Sequence, residues 1–168
     1  MTEKANKTRT IVGCGVLAAL VLGVVGGIAI PAWDKHIKQQ RSSGATLNIK
    51  TINDLVLDYH KEHGSFPAST KLTPLESCCA DASILGVGYC PTNDEGWKQE
   101  GWVSIGFKVI RQRSTYRFKM TADRDKMLIE AFGDLDCDGE EGRFFMEMTV
   151  DDKGVVNSSR LQIENELE

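Results

Sequence analysis

Hydrophobic and polar positions follow three different patterns along the chain. Residues 11–30 are about 20 uncharged, mostly aliphatic residues, about 30 Å of helix and so the thickness of a bilayer core. Without an intervening loop, residues 32–63 continue as an amphipathic helical pattern. Ala45, Ile49, Ile52, Val56 and Tyr59 share one face, with Leu55 beside them. Pro31 removes a backbone hydrogen bond and predicts a kink where the two patterns meet. Trp33 suits an interface, and Ser42-Ser43-Gly44 is a second soft point. Gly64 followed by Pro67 predicts the end of the helix.

Further along, the period changes to two. Strands are predicted at about 107–112, 115–122, 127–133 and 143–150, with hairpin turns at 123–126 and 151–154. Tyr116, Phe118 and Met120 alternate with charged neighbours, so that strand has one buried face. Between helix and strands lies a long loop with Pro74, Pro91 and several cysteines. Asp94 or Asn93 can cap a short helix that runs through Trp97 to about Ser104. The predicted fold is α+β, a long N-terminal helix with a membrane-spanning first half, packed on a small antiparallel sheet of three or four strands.

Several phrases in that order resemble the type IV pilin and type II secretion pseudopilin superfamily. They are Ile28-Ala29-Ile30-Pro31-Ala32-Trp33 at the end of the apolar run and Tyr59-His60-Lys61-Glu62-His63-Gly64-Ser65-Phe66-Pro67 at the end of the helix. Later phrases, around Trp97, Trp102, Gly106 and Phe107, then Tyr116 and Phe118, then Ala131 to Gly139, are similar to the soluble half of myxobacterial-type pilin-like proteins. The resemblance implies a pilin-like fold and a role as a minor or accessory subunit of a type IV pilus or a type II secretion-like system. It implies other pilin-like subunits or membrane assembly proteins as partners of the apolar helix. Family precursors carry Gly then Phe or Met at the prepilin peptidase cut, and a Glu soon after; the matching positions here hold Arg9, Thr10 and Cys14. Neither the cleavage and methylation motif nor the assembly glutamate carries over, and an uncleaved accessory subunit is expected.

Within that frame the chain divides into a basic tail at 1–10, a transmembrane half-helix at 11–31 and an amphipathic half-helix at 32–64. A disulfide-bearing loop with a short helix follows at 65–106, then an antiparallel sheet at 107–157 and an acidic tail at 158–168. The apolar run is longer than a signal-peptide core and lacks a clear Ala-x-Ala site, which favours an uncleaved anchor. Lys4, Lys7 and Arg9 on one side balance Lys35, Lys38 and Arg41 on the other, so basic residues do not orient it. Cys78, Cys79, Cys90 and Cys137 do, because an even cysteine set in a small domain fits an oxidising compartment. The expected location is the bacterial inner membrane, single-pass, N-terminus cytoplasmic and C-terminal domain periplasmic or extracellular. A net charge of −4 offers no basic field for nucleic acid.

The four cysteines allow three connectivities. A bond between adjacent Cys78 and Cys79 would strain their peptide, so each is expected to pair with Cys90 or Cys137. Their spacing lacks paired Cys-x-x-Cys knuckles, and no transition-metal site is expected. Asp134, Asp136 and Asp138 precede Gly139 with the spacing that opens a calcium loop, but Phe145 stands where an EF-hand needs its bidentate Glu. A partial Ca²⁺ turn and a β-turn whose Asp side chains bond their own backbone are both open. His60 and His63 flank Glu62 in the wrong order for a zinc motif, and Trp97 and Trp102 read as core. Gly23 and Gly27 form a Gly-x-x-x-Gly pair that permits close helix packing. No nucleophile–base pair or phosphate loop stands out, and no enzyme activity is expected. The competing reading is a stand-alone envelope protein whose periplasmic head binds a ligand or calcium.

Overall fold

Helix α1 runs unbroken over Thr2–His63, 62 residues, in this computed structural model. The structure describes residues 2–80, 90, 94–107 and 116–166; within α1, side chains are described at Gly23, Gly27, Ile30, Ala32, Trp33 and from Lys35 onward. The helix continues through Ser42-Ser43-Gly44, where the serine hydroxyls donate to the carbonyls of Gln39 (3.0 Å) and Gln40 (2.7 Å). Those hydroxyls thereby bond back into the helix rather than breaking it. It ends at Gly64, whose left-handed φ of 69° lets its N–H reach the His60 carbonyl at 2.8 Å. The chain divides into two compact units, Met1–Ile37 and Lys38–Glu168.

In the second unit α1 meets an antiparallel sheet of five strands. They are β1 (Tyr116–Asp123), β2 (Lys126–Gly133), β3 (Gly142–Val150), β4 (Val156–Ser158) and β5 (Gln162–Glu164). The order is β1-β2-β3-β4, with β5 also paired to β3. Register aligns Phe118 with Ala131 and Ala131 with Phe144, and likewise Met120 with Ile129 and Ile129 with Met146. Because side chains alternate across a strand, these rows fall on one face. That face packs on Ala45, Ile49, Ile52 and Val56 of α1, all without exposure. The edge of β3 away from β2 is filled twice, by β4 opposite Met148, Thr149 and Val150 and by β5 opposite Arg143, Phe144 and Phe145. Between them the Ser159 N–H donates to the Glu147 carbonyl at 2.7 Å, and the Glu147 N–H donates to Ser159 Oγ at 2.9 Å.

The segment joining helix to sheet carries a 3-10 turn, Glu95–Lys98, and a short helix α2, Glu100–Ser104. Asp94 caps the turn by accepting from the Gly96 N–H at 2.6 Å. Trp97, Trp102 and Phe107 form an aromatic cluster with centroids 5.4–5.8 Å apart, and Phe107 meets Phe118 edge-on at 6.1 Å.

Three expectations need correction. Among the described residues no helix is long and apolar enough to cross a membrane. The transmembrane helix, and the single-pass inner-membrane location with a cytoplasmic N-terminus and periplasmic domain, are corrected on that finding. The finding rests on the described side chains, and from Lys35 onward these include Lys38, Arg41, Lys50, Asp54 and Asp58, too much charge for a hydrocarbon environment, in a part of α1 expected outside the span at 11–31. Most side chains of the apolar run at 11–30 lie outside the described residues. Among the described residues the sheet has five strands rather than three or four: β1 to β3 answer to three of the expected strands, and β4 and β5 are added by the segment after Val150, whose end was read as a solvated tail. The strand expected at 107–112 falls almost wholly outside the described residues; Phe107 itself is irregular and buried.

Candidate functional site

The acidic turn linking β2 to β3 is held by its own side chains, by an ion pair to α1 and by a disulfide. Asp134 sits just after β2, and its carboxylate accepts from the Asp138 N–H (3.2 Å) and the Gly139 N–H (2.9 Å). Asp138 in turn accepts from the Glu140 N–H at 2.9 Å. These are the local side-chain-to-backbone bonds that make Asp a turn residue. Cys137 adopts φ 60° and Gly139 φ 98°, so the chain reverses through two left-handed positions, one taken by a residue with a Cβ. Leu135, 1% exposed, points into the core and fixes the turn from below.

Helix α1 holds the turn from the side. Lys38 Nζ donates to Asp136 at 2.7 Å, and Arg41 donates to the Leu135 carbonyl at 3.2 Å. Disulfide Cys79–Cys137 ties the turn to the preceding loop, and Cys78–Cys90 closes that loop on itself. The two bonds thus divide the adjacent cysteines between a local and a distant partner, with 12 and 58 residues of separation.

Carboxylate oxygens of Asp134, Asp136 and Asp138 lie within 4.8 Å of one another. Oxygen donors so placed can take a hard cation, but Asp134 already serves two backbone N–H groups and Asp136 faces Lys38. A cation there competes with both. Cys79, Asp134 and Cys137 also converge, yet both sulfurs are spent in the disulfide and offer no thiolate. His60 and His63 enter neither cluster. His63 stacks on Tyr59 at 4.1 Å and its Nδ1 faces the Tyr59 carbonyl, while His60 lies 4.9 Å from Phe66. Gly23 and Gly27 are exposed, and a Cβ at either would meet open space.

Two groups of residues carry structure that the sequence did not single out. On the outer face of the sheet Glu130, only 3% exposed, receives two bonds from Arg143 (3.0 and 2.7 Å) and pairs with Lys119 at 2.8 Å. Arg143 also reaches Glu164 of β5 at 3.2 Å and lies over Phe145 at 4.2 Å. Burial works against its charge, but the bonds to Glu130 and Glu164 outweigh that and hold its pKa above the ordinary arginine value. A Glu flanked in register by Lys119 and Phe145 was the available signal. The second group is Ser69, Thr70, Thr73 and Gln99: the Ser69 and Thr70 hydroxyls and the Thr73 backbone bond the edge of β1, and Gln99 bonds Lys71 and Thr73 beside them; polar residues in a loop gave no hint of that.

No family model, curated protein or solved structure matches the chain.

Proposed function

We propose that this chain is a pilin-like structural and assembly protein, a minor or accessory subunit of a type IV pilus or a type II secretion-like machine. The observation that carries the reading is how one helix is shared. After Lys38, α1 gives its apolar stripe to the head; before it, Ile30 and Trp33 stay 72% and 69% exposed. Gly23 and Gly27 stand on the same first half with no side chain to keep a neighbour away. A helix rooted in its own head, with apolar and small residues left uncovered, suits contact with other pilin-like subunits. The Tyr59 to Pro67 phrase that carries the family resemblance falls where α1 ends.

A photo-crosslinking side chain at Trp33, in the full chain expressed in its own cells, tests this. Mass spectrometry of the adducts should return other pilin-like subunits. Adducts only to unrelated proteins, or none, overturn the proposal.

A second reading rests on the three convergent carboxylates, which favour a stand-alone protein with a calcium-binding turn. Calorimetric titration of the whole chain with Ca²⁺ should then give heat that is lost in Asp136→Ala. A titration without heat rejects it.

A further inference from the structure

The two disulfides differ in exposure and in what stands beside them. Cys78 and Cys90 are buried, 6% and 5% exposed, and Cys90 Sγ sits 3.2 Å from the Tyr116 carbonyl. Cys79 and Cys137 are only half-buried. A reductant in solution therefore meets the Cys79–Cys137 bond first, because access governs thiol–disulfide exchange.

A third ligand group adjoins that bond and not the other. The sulfurs of Cys79 and Cys137 and a carboxylate oxygen of Asp134 lie within 4.8 Å of one another, whereas Cys78 and Cys90 enter no such group among the described residues. Two thiolates and a carboxylate are a donor set for Zn²⁺, with Zn–S bonds of about 2.3 Å and hence sulfurs about 3.8 Å apart. The Cα atoms of Cys79 and Cys137 are 5.6 Å apart, so turning the two side chains opens that gap without a shift of the backbone. Asp134 is already oriented by second partners, as metal-binding carboxylates are. Its oxygens accept from the Asp138 and Gly139 N–H groups at 3.2 and 2.9 Å, and each keeps a lone pair for a metal.

The surroundings hold the three groups together once the sulfur–sulfur bond is open. On the turn, Leu135 stays in the core, Lys38 holds Asp136 at 2.7 Å and Arg41 holds the Leu135 carbonyl at 3.2 Å. On the loop, Cys78 remains tethered to Cys90, which keeps its neighbour Cys79 within one residue of a fixed point.

We propose that Cys79, Cys137 and Asp134 form a redox-gated zinc site, blocked by the disulfide and made available by a dithiol reductant. The dithiol passes two electrons and two protons to the Cys79–Cys137 bond and closes to its own disulfide. Zn²⁺ then displaces the two thiol protons and binds both sulfurs and Asp134, with water in the fourth position.

The test treats the full chain with graded dithiol in the absence of oxygen and maps alkylated cysteines by mass spectrometry. Cys79 and Cys137 should be modified before Cys78 and Cys90; the reverse order overturns the gate. Once the dithiol is removed, Co²⁺ serves as the probe, since thiolate ligation gives it a charge-transfer absorption. The selectively reduced chain should show that absorption and lose it to added Zn²⁺, while the oxidised chain and Cys137→Ser should not develop it. Asp134→Asn keeps an oxygen for a backbone N–H and should bind Co²⁺ about tenfold more weakly, or worse. If that variant fails to fold, X-ray absorption at the zinc edge of the reduced parent decides, and should show sulfur and oxygen together. No absorption in the reduced parent, unchanged affinity in Asp134→Asn, or a zinc shell of sulfur alone or oxygen alone overturns the site.

Discussion

The two halves of α1 differ in what their apolar residues touch. From Ala45 to Val56 the stripe has no exposure and lies against Phe118, Ile129 and Phe144 of the head. Ile30 and Trp33 have apolar side chains of similar or greater size and remain mostly exposed. One unbroken helix therefore has a half whose side chains hold the fold and a half whose described side chains do not. Helical periodicity alone identifies a face that wants burial; it does not say whether the chain itself supplies the cover.

The largest break in that comparison comes from matched truncations. Ile52→Ala should cost the head about 2–5 kcal/mol, because the site is closed on all sides and leaves a cavity. Ile30→Ala should change the same denaturant midpoint by less than about 0.5 kcal/mol. Equal losses would mean that the first half also supports the head.

Glycine offers a second contrast. At Gly101 a Cβ runs into the backbone carbonyl of Ala68 and the side-chain methyl of Thr70. Gly101→Ala should destabilise the head by about 1–3 kcal/mol, overpacking that outweighs any gain in helix propensity. Chemical denaturation of the full chain measures it, and a neutral result would show that Ala68 and Thr70 can move aside without cost.

The helix-facing core also contains Tyr116, 1% exposed, whose ring meets Phe144 edge-on at 5.3 Å. Burial pushes its phenol above the ordinary value of 10.0, and Glu166 adds to the shift. A raised folded-state value means that the native protein keeps a proton the unfolded chain has lost. Its contribution is complete below about pH 10 and falls away as the pH rises past that value. The melting temperature should drop above pH 10, and Tyr116→Phe should flatten that part of the profile. An unchanged profile in the variant would assign the drop to another group.

What could be read in the sequence follows the same division. The stripe Ala45, Ile49, Ile52, Val56 and the alternation Tyr116, Phe118, Met120 are visible because each rests on a period set by local geometry. The stop at Gly64 and the cap at Asp94 are visible because their backbone chemistry is local too. β4 and β5 are not visible, since three residues carry no period and Gln162, Ile163 and Glu164 are all exposed. The cysteines could be grouped but not paired, as the partner of Cys79 is 58 residues away. The acidic run suggested either a cation or a turn. It is the fold that brings Lys38 to Asp136 and two N–H groups to Asp134. The cover on the edge of β1 was hidden because the Ser69 and Thr70 hydroxyls take the place of a strand backbone. The reading of the apolar run at 11–30 as a membrane span rested on its length; among the described residues no helix is long and apolar enough to cross a membrane.

The smallest effect on the head is expected at Gly27, and it separates folding from assembly. A Cβ at this position meets nothing within 4 Å, so Gly27→Ala inside a helix removes backbone freedom without a clash. The head's denaturant midpoint should stay within about 0.5 kcal/mol of the parent, in contrast to Gly101→Ala. If the first half of α1 is where other pilin-like subunits pack, the added methyl should still hold a neighbouring helix away, since small residues are what permit close approach. Crosslinking yield from Trp33 should then fall in Gly27→Ala while the fold is unchanged. Unaltered yield would place the contact on another face of the helix, and a lowered midpoint would show that Gly27 belongs to the fold rather than to assembly.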